Sequence, residues 1–481
     1  MNIAKVIVDV PASSINQTFD YHIPEKFQDM LEVGMRVVVP FGPRKIMGFV
    51  VERVNFTTFD RVKDILDVLD VTPVLTKELL DLGKWLANDT LSLYITALQA
   101  MLPQVLKSSY KKEIVKLTEE NLPEELEFLF AGRDVVSFEE FEQSNISYYQ
   151  LKKVVETGDV SIDYLVKSKI TKKKITMVEP ACEPYKLEEA MLDIPEQAKK
   201  QKKILSFFIQ HEAPIEKKLL LEKLHTTNQT VKSLQEKGLL KVYQMEVYRN
   251  PYNDDEFERT YPLRLNEEQE IAIKPIQQSI DEDQHDVFLL HGVTGSGKTE
   301  IYLQAIQNVI NNGKEAIVLV PEISLTPQMV KRFKGRFGKD VAVMHSALSA
   351  GEKYDEWRRI HQKEVKVVVG ARSAVFAPFE NIGIIIIDEE HENTYKQEDQ
   401  PRYHARDVAI YRAKNHDCPV VLGSATPTLE SFARASKNVY KLATLRKRTN
   451  DMPLPEVEIV DMRNELHAGN RSMFSRRLVE K

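Results

Sequence analysis

Cysteine is nearly absent from this chain, with two in 481 residues, Cys182 and Cys418. They lie far apart, and neither has a second cysteine at metal-ligand spacing. No cysteine-based zinc site and no disulfide framework can be built from them, which fits a reducing cytoplasm. No run of about 18 apolar residues occurs, so no transmembrane helix is expected. The stretch Met1–Asp9 is strand-like, carries Lys5 and Asp9, and lacks the apolar core and cleavage site of a signal peptide. Positive charge is not in excess either. Lys+Arg 66 against Asp+Glu 72 gives a net charge of -6, which excludes a histone-like protein. It does not exclude nucleic-acid binding, because that depends on where the charges sit. Basic clusters do occur, at Lys107 with Lys111 and Lys112, at 167–174, at 199–203 and at Arg446–Arg448. The remaining balance, 42% hydrophobic and 29% charged, excludes disorder as the main state. The length leaves room for about three domains.

Three regions differ in texture. Residues 1–108 open with β-rich segments at Ala4–Val10, Phe19–Ile23, Arg36–Pro40 and Met47–Val54, punctuated by Gly34, Gly42 and Gly48. Apolar residues at helical spacing follow over Leu75–Leu98. This predicts a small β-barrel or sheet closed by helices. Residues 109–250 are Lys/Glu-rich and mostly helical. A helix over Glu216–Leu224, a turn at 225–228 and a second helix over Thr230–Lys237 ending at Gly238 have helix-turn-helix spacing. Leu239–Tyr243 and Glu246–Tyr248 then alternate like the two strands of a wing. Ser137–Phe141 and Ser147–Val155 offer a second helical pair, with Lys111–Leu117 as a displaced strand. Residues 251–452 change to short β-branched runs alternating with helical segments: Val287–Leu290, Ala316–Val320, Val341–Met344, Val365–Val369, Ile384–Ile387 and Val420–Leu422. Such runs predict a parallel sheet buried on both faces. Residues 453–481 read as a linker. The expected fold is multidomain, α+β and α/β, with a barrel-like first domain, a winged-helix region and one RecA-like lobe.

The third region carries the chemistry. Gly292, Thr294, Gly295, Ser296, Gly297, Lys298 and Thr299 fit a P-loop between a strand and a helix. Glycines let backbone N–H groups wrap phosphates, and the helix N-terminus favours anions. Lys298 reaches the β- and γ-phosphates of ATP, and Thr299 places a hydroxyl on Mg²⁺. The strand Ile384–Ile387 ends in Asp388, Glu389, Glu390 and His391. Asp388 is placed to hold Mg²⁺ and Glu389 to orient and deprotonate the attacking water. His391 is either a coupling residue or a core histidine. Ser424 and Thr426, in Gly423–Pro427, are small hydroxyl residues suited to bridging the acidic site and bound nucleic acid. The loop 395–407 interleaves Tyr395 and Tyr403 with Lys396, Arg402 and Arg406. Stacking rings and cations suit unpaired bases, although two buried tyrosines in a surface loop would look the same.

The order of P-loop, acidic box and Ser-Ala-Thr box resembles superfamily 2 helicases, with Gln269 ahead of the P-loop in the place of an adenine-reading glutamine. Arg372, in Gly370–Ser373, and the segment Pro321–Thr326 also follow strand ends, and their likeness to helicase segments implies that they touch a nucleic-acid backbone. The phrases Val320–Pro327, His345–Ser349, Tyr395–Gln397 and Pro401–Ala409, with Thr18–Tyr21 and Gly34–Gly42, narrow the resemblance to the bacterial primosomal replication-restart helicases. It is weakest over 118–195. The resemblance implies an ATP- and Mg²⁺-dependent 3′→5′ DNA helicase of the bacterial cytoplasm, associated with the nucleoid. Such a helicase acts as a monomer on forked and single-stranded DNA. Its implied partners are primosome and helicase-loading proteins and single-strand-binding protein, with no membrane. It also implies a pocket for a terminal 3′ base at Phe19, Asp20, Gly42 and Lys63. The family carries a zinc segment and a second motor lobe that this chain lacks, so the expectation is a fragment, inactive or weakly active alone. Two other readings stay open: a superfamily 2 translocase of another system, and a non-enzymatic fork-binding adaptor.

Overall fold

The computed structural model describes residues 2–107, 110–116, 122–144, 146–157, 159–166, 174–195, 197–210, 213–246, 257–449 and 457–480. The first sheet has six strands: β1 Ile3–Val8, β2 Phe19–His22, β3 Arg36–Phe41, β4 Arg44–Val54, β5 Lys63–Asp64 and β6 Asp67–Val68. Their order is β5-β2-β1-β4-β3-β6, antiparallel except for β2 beside β5. Alternation in β1 sends Ala4, Val6 and Val8 to one core and Ile7 to another, where Phe49 of β4 joins it. Helices cover that second face. The helical spacing over Leu75–Leu98 resolves into two helices, Lys77–Asp89 and Tyr94–Ala100, with Leu91 at a left-handed φ of 51° between them. No glycine or proline announces that break.

The middle of the chain forms two small units. In the first, β7 Tyr110–Lys116 lies between β8 Val135–Ser137 and β9 Val160–Val166. Helices Glu124–Phe130, Phe138–Gln143 and Tyr148–Glu156 close a core of Ile114, Phe130, Phe141 and Leu151. In the second, β10 Lys174–Pro180 lies between β11 Ile215–Glu216 and β12 Leu240–Glu246. The helices Lys199–Gln210, Lys217–Leu224 and Asn228–Glu236 pack Ile204, Phe208, Leu220 and Leu234 against it. The expected wing is therefore corrected. Glu246 continues the strand begun at Leu240, and the partner is β10, more than sixty residues upstream. Val247 and Tyr248 lie outside the described residues, as do Leu117, the basic residues 167–173 and the start of the linker at 453–456.

The third region holds a seven-stranded, all-parallel sheet: β13 Val287–Gly292, β14 Glu315–Leu319, β15 Val341–Met344, β16 Val367–Gly370, β17 Ile382–Asp388, β18 Val420–Ser424 and β19 Lys441–Leu445. The order is β15-β16-β14-β17-β18-β13-β19. β14 and β17 are buried at every residue, as helices on both faces require. Six of the strands match the β-branched runs of the sequence. The seventh, β19, sits at the edge and was not foreseen.

The first domain and the third region share one continuous hydrophobic core that joins Ile7, Leu82 and Leu98 to Trp357, Phe379 and Val408. Polar contacts pin the seam. Arg412, fully buried, makes a two-point ion pair with Glu78 at 2.9 and 2.8 Å. Trp85 stacks on Tyr411 at 4.4 Å, and a ring nitrogen of His361 lies 2.8 Å from the Pro73 carbonyl.

Candidate nucleotide and DNA sites

The P-loop leaves β13 and opens the helix Lys298–Asn311. Gly295 and Gly297 have φ of 81° and 84°, a region open to glycine at no cost. A Cβ on Gly297 would lie 2.2 Å from the Gln269 Nε2, so the loop also needs glycine for close packing. No side chain caps the helix, which leaves its first-turn N–H groups for an anion. Lys298 Nζ donates to the Gly292 carbonyl at 2.9 Å and lies 3.9 Å from Glu389 Oε1. The buried Ser296 Oγ has no hydrogen-bond partner. A cradle of glycines, an uncapped helix start, a folded-back lysine and an orphaned hydroxyl fit a polyphosphate.

Asp388 ends β17 and is buried. Its carboxyl is pushed up to about 6, first by burial and then by the neighbouring Glu389 charge; the Tyr302 hydrogen bond and Lys298 oppose this. Tyr302 Oη donates to Asp388 Oδ1 at 3.0 Å, and Tyr395 Oη donates to the Asp388 carbonyl at 2.6 Å. Two adjacent carboxylates facing one lysine are short of positive charge, which suits a divalent cation held by Asp388 and Thr299. Glu389 takes a left-handed φ of 46°, a costly conformation for a residue with a Cβ. It lies 3.6 Å from His391 Nδ1, which is also 2.8 Å from Ser424 Oγ. Ser424 Oγ in turn accepts from the Thr426 N–H at 3.0 Å. The acidic box and the Ser-Ala-Thr box are therefore in direct contact through His391.

Two members of this site were missed in the sequence. Tyr302 lies four residues after Lys298, on the same helix face, and that spacing was its only signal. Gly423 is the second, since a Cβ there would fall 1.6 Å from the Tyr302 hydroxyl. Glu390 is a brace. Buried, it accepts from the Thr428 N–H at 2.7 Å and the Ser431 hydroxyl at 2.9 Å, fixing the start of the helix Leu429–Ser436. Gln269 is buried against the P-loop. Its Oε1 accepts from the Asn266 N–H and its Nε2 donates to the Ser296 carbonyl, both at 2.9 Å. Reading an adenine would require that amide to leave Ser296.

The loop after the acidic box is corrected in part. Tyr395 and Tyr403 are 1% and 6% exposed and present no face for a base. Tyr395 supports Asp388, and Tyr403 packs edge-on against Phe376 at 5.0 Å. Rings alternating with cations look alike whether the rings point in or out. Lys396 and Arg402 are exposed, while Arg406 is partly buried, 3.9 Å from Glu390. Arg372 Nη1 donates to the carbonyls of Thr394 and Lys396, at 3.1 and 2.6 Å, and so fixes the loop.

Phe19 and Asp20, Gly42 and Lys63, from three separate stretches of sequence, line one cavity of about 400 Å³ in the first domain. Phe19 meets Phe41 edge-on at 5.2 Å, and Asp20 Oδ2 accepts from the Thr57 hydroxyl at 2.6 Å. Gly42 has a φ of 57° and nothing within 4 Å of where its Cβ would be, so the turn is what requires glycine.

A parallel sheet with a P-loop, an acidic box and a Ser-Ala-Thr box touching one another is the arrangement expected of a superfamily 2 helicase motor lobe. In agreement, residues 266–435 match the DEAD/DEAH box helicase family. Residues 5–103 match the family described as 3′DNA-binding domain (3′BD), and 172–247 the winged helix domain of PriA helicase, Bacteroidota. The chain is 54% identical over 485 residues to replication restart protein PriA of Bacillus subtilis, covering 100% of this chain and 60% of that protein. It is 34% identical over 510 residues to PriA of Synechocystis sp., with coverage of 99% and 58%. With PriA of Chlamydia pneumoniae it shares 31% over 490 residues, with coverage of 99% and 56%. The chain is thus a relative of PriA along its whole length, and it spans about three fifths of the length of these relatives.

Proposed function

We propose that this chain is the fork-recognising and nucleotide-binding part of an ATP-dependent 3′→5′ DNA helicase that starts replication restart by primosome assembly. One observation carries the reading. The four residues expected to hold a 3′ terminal base converge on a single cavity, in a domain pinned to a lobe that bears an ATP-type P-loop. In this reading Phe19 packs on the terminal base, Asp20 accepts its hydrogen bonds in place of Thr57, and Lys63 attracts the backbone. Lys298 turns from the Gly292 carbonyl to the β- and γ-phosphates. Glu389 orients the attacking water, and its contact with His391 and Ser424 relays the change toward DNA. Mg²⁺, held by Thr299 and Asp388, would neutralise phosphate charge. Arginines of a second lobe would complete the γ-phosphate site. Forked and single-stranded DNA, primosome and loader proteins and single-strand-binding protein are the proposed partners, in a bacterial cytoplasm. Among the described residues no helix is long and apolar enough to cross a membrane.

The test pairs two variants. Asp20→Ala should abolish the preference for forks with a free leading-strand 3′ end over 3′-blocked forks. Lys298→Ala should abolish nucleotide binding and leave that preference intact. Equal binding of both forks by the unaltered chain would refute the reading.

A further inference from the structure

A second cavity, of about 490 Å³, lies between the first domain and the motor lobe. One wall is the end of the first domain, with Gln99, Gln104 and Lys107. The other comes from loops after β14, β15 and β16, with Lys353 and Arg372. Its size is in the range of ~300–1,000 Å³ usual for ligand sites. Its charge is one-sided. Glu322 is the single acid in the lining, against Lys107, Lys353 and Arg372. The charges of Lys353 and Arg372 are not neutralised by the bonds they make here. Lys353 donates to the Ser346 carbonyl at 3.0 Å, and Arg372 donates to the carbonyls of Thr394 and Lys396. Burial pushes the Lys107 ammonium below its ordinary value, and no carboxylate opposes that shift. Three cations with no carboxylate partner among the described residues, beside side-chain amides and the apolar surfaces of Met101 and Trp357, suit a ligand that is anionic and has flat apolar parts.

We propose that the 96–107 segment is the second wall of a single-stranded DNA channel, in which Lys107 and Gln104 hold a backbone phosphate as the strand crosses the motor lobe. The proposal rests on the DNA-binding reading above and adds to it a contact from the first domain that is separate from the 3′-end cavity. Neither Lys107 nor Gln104 lines that cavity.

The test uses this chain and a fluorescent oligo-dT with a blocked 3′ end, so that the 3′-end cavity is not read. Lys107→Met keeps the buried stem and removes the charge. It should weaken binding about tenfold and make the log–log salt dependence shallower by about 0.7. Lys107→Arg should bind like the unaltered chain, and Gln104→Ala should weaken binding without changing the salt slope. Nucleotide binding should not change in any of the three. Unchanged affinity and slope in a folded Lys107→Met chain would overturn the inference alone. No binding of the oligomer by the unaltered chain would overturn the DNA reading along with it. If Lys107→Met lost a poly-glutamate peptide and kept the oligomer, the cavity would belong to an acidic protein segment and the proposal would fall.

Discussion

Replacing Glu78 with alanine should loosen the seam between the first domain and the motor lobe more than any exposed ion pair could. The Arg412 guanidinium is fully buried. It gives two hydrogen bonds to Glu78 and others to the carbonyls of Val375, Ala377 and Phe379, at 2.6, 3.0 and 3.4 Å. Glu78→Ala leaves that charge with carbonyl dipoles alone, at a cost of ~3–5 kcal/mol. Arg412→Met removes the charge and instead strands buried carbonyls, at ~1–3 kcal/mol. The double variant has no unpaired charge, so its cost should fall short of the sum by about 2–3 kcal/mol. Urea unfolding followed by fluorescence suits this measurement, because Trp85 and Trp357 both lie at the seam. If the two domains unfold together in the unaltered chain, Glu78→Ala should also split the transition. A single variant within ~0.5 kcal/mol of the unaltered chain, or additive costs, would refute the reasoning.

Two further outcomes follow from the same packing. Gly423→Ala should impair nucleotide binding and destabilise the lobe by at least ~1–3 kcal/mol through overpacking on the Tyr302 hydroxyl. Tyr302→Phe should restore part of the stability, which thermal melting of the pair would show. The partly buried His361 is held below its ordinary pKa by desolvation, and His345, His404 and His416 are shifted the same way. The unfolded chain therefore takes up protons first, so stability is full above about pH 6.5 and falls as the pH drops below it. His361→Gln should make that fall less steep, and identical acid profiles by urea titration would contradict it.

The motor lobe was legible because its strands are buried on both faces, which leaves runs such as Ile384–Ile387 with no alternative reading. The edge strand β19 escaped because Lys441 and Leu442 are exposed and the run is short. The wing was misread because its partner strand lies on the far side of four helices, and local alternation says nothing about such pairing. The P-loop and acidic-box residues were singled out from spacing alone, and folding brings Lys298 and Glu389 within 3.9 Å. Tyr302 and Gly423 were not, since neither has a spacing of its own and their roles arise only when β17 and β18 lie side by side. The residues expected at a 3′-end pocket came from the resemblance, and folding gathers them on one cavity. Tyr395 and Tyr403 were misassigned because composition does not reveal which way a side chain faces.

The shared core between the first domain and the motor lobe changes what counts as the middle of this protein. Two stretches separated by about 150 residues of sequence make one folding body, and the two small units between them carry cores of their own. Those units are, in effect, an excursion out of that body. The first of them still touches that body, through Phe27 against Tyr148 and the Lys152–Glu32 ion pair. Removing the first domain would leave the lobe with a bare apolar flank.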